Sequence, residues 1–236
     1  MLVRNKKIFS IGIVFAISFL AVLVFIFSPV FKGKNGLQFS DDSFNKLAKG
    51  SSYFIPKVSK SVEQFIGKPI AVSINLDQAE DTENTAKLLA AAGAKVDIKN
   101  TELKIEGDLG TILQSAIKDA DSMYKNDGKT VSERYGYDEK MVMKNWWNAL
   151  SRIEKGLKKE KFITEAKVVS DVTKKAVEPG YNFYQIDANK VSEHAGMMSG
   201  LLIFYVLYTM WWGYAIFYMF EGIGLSMKKA KIKKEI

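Results

Sequence analysis

One histidine, His194, stands at the head of the long apolar run near the C-terminal end of this sequence. An imidazole there could ligate a haem iron from one side, hydrogen-bond a quinone carbonyl or accept a proton. At helical spacing it shares a face with Met198, Leu201, Tyr205, Tyr208 and Trp212, at offsets of 4, 7, 11, 14 and 18 residues. His194, Tyr205, Tyr208 and Trp212 are therefore the candidate cofactor-binding row, facing a quinone or haem held by a partner subunit. A bis-histidine haem within this chain is excluded, because there is no second histidine. The plainer reading of His194 is a polar residue at headgroup level, bonded to water or to a neighbour.

A second row, Leu207, Trp211, Tyr214 and Tyr218, leads down to Glu221. Phenols and indoles in the middle of an apolar run must find partners, which favours burial against other helices over lipid. Gly196-x-x-x-Gly200 offers a close-packing notch, and Gly12-x-x-x-Ala16 offers a weaker one. In a hairpin of two spans the notches fall at different depths, so each is expected to accept a helix from another chain. Trp146 and Trp147 project from adjacent helix faces and cannot share one core seam, so Trp147, with Met143, is expected to mark a contact patch.

The remaining inventory for chemistry is poor. Without cysteine there are no disulfides, no thiolate-held clusters and no covalent haem. No phosphate-binding loop, zinc-protease or nucleophile-elbow motif occurs. Asp77, Glu80, Asp81 and Glu83 could hold a hard cation, but they read first as a helix start that complements the dipole. Asp119 and Asp121 are placed on the solvent side of their helix. No metal site and no catalytic set is expected.

Two elements must position these residues. Ile8–Phe31 is an apolar run after a basic head (residues 1–7), too long for a cleaved signal, and reads as an uncleaved anchor. Residues 195–225 form the second span. The formal charge of +8 is concentrated at the ends, in Arg4, Lys6 and Lys7 and in the lysines of residues 226–236, leaving the stretch between the runs close to neutral. That balance argues against a nucleic-acid partner and for both termini in the cytoplasm at the inner membrane.

Between the spans the pattern predicts a short-helix collar (32–68), an α/β unit (69–125), a polar connector at 126–138 leading into a helical pair that ends before Pro179 (126–180), and an extended aromatic descent with a helix start (181–194). Within the α/β unit the order is β-α-β-β-α, its first two strands parallel through a crossover and the third antiparallel. The fold class expected is a membrane protein with two transmembrane helices flanking an extracytoplasmic α/β (β-α-β-β-α) plus helical-hairpin domain. The function expected is that of a non-catalytic accessory subunit of a multi-subunit membrane complex, with other integral membrane subunits and the lipid bilayer as partners. The alternative is a self-assembling envelope regulator, whose hairpin topology is similar to that of polysaccharide chain-length co-polymerases and implies homo-oligomers.

Overall fold

The structure, a computed structural model, describes residues 3–225 and divides into two units, residues up to Phe44 together with those from Lys190 onward, and Asn45–Asn189. The lysine-rich end expected to mark the cytoplasmic side lies outside the described residues.

The first unit is built on two helices, α1 (Lys6–Phe27) and α10 (Val191–Ile223), numbered by place in the chain. Their 22 and 33 residues, with mean hydropathies of 2.8 and 1.5, make both long and apolar enough to cross a bilayer. α1 starts where the Asn5 side chain accepts the Ile8 N–H. It stops at Phe27, four residues short of the end of its apolar run, because Pro29 follows and Lys32 and Gly33 turn the chain with positive φ. α10 is unbroken and closes on Gly224, at φ 89°.

The two helices pack along their length. A Cβ at Gly12 would lie 2.7 Å from the Met219 backbone nitrogen, and one at Gly222 would lie 2.7 Å from the Phe9 backbone. The Gly12 notch, expected to receive a helix from another chain, thus receives α10 of the same chain. On α10 it faces Ala215 and Met219, far along the helix from Gly196. Gly222→Leu is expected to push the helices apart and to cost about 1–3 kcal/mol, the usual penalty of overpacking, read as a lowered thermal midpoint by circular dichroism in detergent.

The second unit is mostly helical around a three-stranded sheet. α2 (Gly36–Ser51) runs past Gly50, where the Asn189 carbonyl approaches so closely that no Cβ would fit. α3 (Ile55–Val62) carries Pro56 in its first turn and ends through a 3-10 turn at Gly67, φ 81°. β1 (Pro69–Asn75), α4 (Ala79–Ala91), β2 (Lys95–Lys99), β3 (Glu102–Asp108) and α5 (Leu109–Tyr124) follow in the expected order. The spatial order is β1-β3-β2, with β3 antiparallel to both neighbours. The first two strands do run parallel, but β3 lies between them: the two-residue link at Asn100 and Thr101, Asn100 at φ 58°, makes β2 and β3 a hairpin.

Alternation in β1 places Ile70, Val72 and Ile74 in the core and leaves Ala71, Ser73 and Asn75 outside. α4 and α7 (Glu139–Lys159) cover the inner face, α4 over β2 and β3, α7 over β1. The stripe Val142, Trp146, Ala149, Leu150, Ile153 and Leu157 of α7 is buried throughout. One continuous hydrophobic core joins the sheet to α5, α7 and α8 (Ile163–Val172).

Three expectations are corrected here. The segment 126–138 contains α6 (Gly128–Tyr135), capped by Asp127, whose side chain accepts the Thr130 N–H, and closed by left-handed Gly136. The helical pair does not stop before Pro179. A π-turn at Thr173–Val177 sends the Glu178 N–H to the Thr173 carbonyl, so Pro179 falls in the first turn of α9 (Glu178–Asn182), where its missing N–H costs nothing. The aromatic descent consequently begins as helix and turns at Gln185, φ 64°, before running irregularly to α10.

Candidate functional site

The predicted row of α10 lines a real feature. A groove of about 1370 Å³ runs between α1, the start of α2 and α10, and Met198, Leu201, Tyr205, Tyr208 and Trp212 are among its walls, with Phe19 and Leu23 opposite. His194 does not line it. His194 lies in the first turn of α10, half-buried, its Nδ1 3.3 Å from the Lys190 carbonyl oxygen.

The aromatic residues divide by what they touch. Tyr208 stacks on Phe19 with ring centroids 4.1 Å apart and donates its hydroxyl to the Phe19 carbonyl at 3.3 Å. Trp212 tilts against the same ring at 4.8 Å. Trp211 donates its indole N–H to Ser18 Oγ at 3.2 Å, and Tyr218 packs against Phe15. Each polar bond between such helices contributes roughly 1 kcal/mol, so these four residues hold the hairpin itself together.

Parts of α10 remain open. A Cβ at Gly196 or Gly200 would meet nothing within 4 Å. Tyr205 is 64 % exposed, and Tyr214 is also exposed. Neither phenol hydroxyl has a hydrogen-bond partner among the described residues, and Glu221 Oε1, though buried, has none either. Within the groove only Ser40, Ser199, Thr209 and the two tyrosines bring hydroxyls. Its chemistry is therefore that of an apolar seat with a few oxygen contacts, suited to a hydrophobic helix or to an isoprenoid or acyl chain. Tyr205, Tyr208 and Trp212 are the residues there that could touch a cofactor. Among the described residues, no group of three or more His, Asp and Glu could hold a metal ion.

Trp147 lies in the second unit, partly exposed, its indole N–H fixed on Glu178 at 3.0 Å. With Lys144, Tyr181 and Asn182 it borders a shallow cavity of about 440 Å³. Met143, expected beside it on the surface, is fully buried, because it falls on the inner side of α7 near Trp146. In the acidic cluster, Asp77 pairs with Arg152 at 2.8 Å, while Glu80 and Asp81 sit in the first turn of α4, where the helix dipole favours them.

Two polar centres were missed. Asp119, placed on the solvent side by the sequence, is fully buried. It accepts the Tyr135 hydroxyl at 2.6 Å and the Trp146 indole N–H at 2.8 Å, and pairs with the Arg134 guanidinium. Burial pushes its carboxyl above the usual range, with those donors pulling it only part of the way back. Burial and the neighbouring carboxylate also push the Tyr135 phenol up. The second centre is Lys49, 3 % exposed near the end of α2. Its ammonium donates to Asn126 Oδ1 at 2.8 Å and to the Phe183 and Ile186 carbonyls at 3.0 and 2.5 Å, with the Tyr124 ring 5.2 Å away. Burial lowers its pKa, and Asp187 opposes that shift.

What the fold and these sites define is a pair of long apolar helices joined to an α/β, mostly helical unit with two buried polar staples. Comparison with protein-family models, curated proteins and solved structures finds no match.

Proposed function

We propose that this chain is a non-catalytic, membrane-anchored accessory subunit of a multi-subunit membrane complex of the energy-transducing or transport kind. α1 and α10 span the inner membrane with both termini in the cytoplasm, and the Asn45–Asn189 unit lies on the extracytoplasmic side. The observation that carries the reading is the asymmetry of α10. One side is satisfied by α1 through Gly12, Gly222, Ser18 and Phe19. What α1 leaves open is the start of α10, where a Cβ at Gly196 or Gly200 would meet nothing within 4 Å, and the exposed rings of Tyr205 and Tyr214, the latter stacked on Tyr218 of its own helix. In hydrocarbon an exposed phenol hydroxyl costs free energy until it meets an acceptor, and small residues lower the cost of close approach. A partner helix supplies both needs, and a quinone or haem carried by that partner would face Tyr205, Tyr208 and Trp212.

Purification of the full chain from its native membrane in mild detergent is expected to recover other integral membrane subunits at fixed stoichiometry, read by native mass spectrometry. Gly200→Leu should strip them while the chain itself stays folded. Recovery only as a lone monomer, or as a ladder of identical copies after crosslinking, would overturn the proposal.

A further inference from the structure

The sheet has two edges, and they are built differently. β2 carries Lys95, Asp97 and Lys99 on its exposed positions, the usual guard against unwanted strand pairing. β1, reading PIAVSIN, has no charge at all.

The hydrogen bonds show which groups β1 turns outward. Lys68 accepts from the Leu109 N–H and Leu76 donates to Thr101, both on the β3 side. Pairing direction alternates along an antiparallel strand, so Ile70, Val72 and Ile74 bond to β3, while Ala71, Ser73 and Asn75 aim N–H and C=O at the free edge. Pro69, the other outward residue, has no N–H to offer, as suits an edge. The Asn75 carbonyl is taken by the Arg152 guanidinium. The N–H and C=O of Ala71 and Ser73 and the N–H of Asn75 have no partner among the described residues.

A cavity of about 540 Å³ lies along this edge. All residues from Ala71 to Asn75 line it, together with Lys104, Ile105 and Glu106 of β3, so it takes in the β1 backbone and the adjoining part of β3. Its other wall is α7, which contributes Lys155, Gly156 and Lys159, and Lys104 of β3 reaches it from the outer face. Lys104, Lys155 and Lys159 make no ion pair among the described residues. Of the acids bordering the cavity, Glu106 faces Lys95 at 4.0 Å and Glu160 stands alone.

We propose that the free edge of β1 takes an extended acidic segment of a partner protein as a fourth strand, its backbone paired with Ala71 and Ser73 and its carboxylates facing Lys104, Lys155 and Lys159. Strand addition draws its affinity from main-chain hydrogen bonds and its selectivity from the side chains beside the edge. The same lysines disfavour a second copy of this chain as occupant, since two identical basic walls would face each other across the new pair. The inference does not depend on the membrane reading: this edge could bind its segment in a chain with no complex partners on α10, and the reverse.

The test uses the full chain in detergent micelles and a fluorescent seven-residue peptide of alternating aspartate and valine. Saturable binding is expected, weakened by added salt. Binding should fall about tenfold with a lysine–valine peptide, and about tenfold in the chain carrying Lys155→Glu and Lys159→Glu, since opposed charge selects partners. It should also fall about tenfold when the peptide is N-methylated on alternate residues, which removes the pairing N–H groups and leaves every charge in place. The lysine variants lie on the surface and are checked for an unchanged thermal midpoint. Absence of binding, equal binding of the N-methylated peptide, or a dimer of the chain that Ser73→Pro dissolves would overturn the proposal.

Discussion

Asp119→Ala is expected to destabilise the Asn45–Asn189 unit by about 3–5 kcal/mol, the cost of breaking a buried charged pair from one side. Against a total stability of ~5–15 kcal/mol for an ordinary domain, that is enough to leave the variant marginal. The carboxylate is fully buried on α5 and is the shared acceptor for Arg134, Tyr135 and Trp146. Alanine strands a phenol hydroxyl and an indole N–H in the core and leaves a guanidinium without its counter-charge. It also cuts the link between α6, which supplies Arg134 and Tyr135, and α7, which supplies Trp146.

The measurement is the urea midpoint by far-ultraviolet circular dichroism. The comparison is Asp121→Ala, two residues on. That carboxylate pairs with Lys125 one turn away and accepts the Tyr53 hydroxyl at the surface, so its loss should cost no more than about 1 kcal/mol. Equal losses from the two substitutions would show that Asp119 is no more a core residue than its neighbour.

Asp119 was partly legible. It stands three residues after Ala116 and four before Met123, on the apolar stripe of α5, so its position spoke for burial while its residue type spoke for solvent. The position was right, because α6 brings donors to it. α6 was hidden for a related reason: eight mostly polar residues carry almost no periodicity, and only the caps Asp127 and Gly136 announce a helix. β1, the α7 stripe and both long apolar helices were readable because each repeats one period over many residues. The Pro179 stop failed because a single π-turn shifts the backbone register, and no composition rule encodes that shift. In α10 the wheel gave both aromatic rows. Nothing in an apolar stripe says which neighbour will take it, so the division between Trp211 and Tyr218 against α1 and Tyr205 and Tyr214 facing outward needed coordinates.

Lys49 was not legible at all, since two of its acceptors are main-chain carbonyls more than 130 residues away. Lys49→Met keeps the stem and removes the ammonium. Ile186 would keep the Asn126 side-chain amide as donor at 3.2 Å, Asn126 Oδ1 would keep the Gln185 N–H at 2.9 Å, and the Phe183 carbonyl would keep the Ile186 N–H at 3.2 Å, so no acceptor loses every partner. The cost is set by the loss of charged hydrogen bonds worth ~1.5–3 kcal/mol each and not additive, so about 3 kcal/mol in all is expected. The damage should be local. Amide exchange should quicken at Gln185, bonded to Asn126, and at Asn189, bonded to the Lys46 carbonyl, while Val72 and Ile105 in the sheet stay protected. Lys49→Arg should rescue little, because a planar fork cannot place its donors on three acceptors gathered around a compact ammonium. Unchanged exchange at Gln185 and Asn189 in Lys49→Met would mean that the turn at residues 183–186 is held by its own backbone, with Lys49 only filling the space beside it.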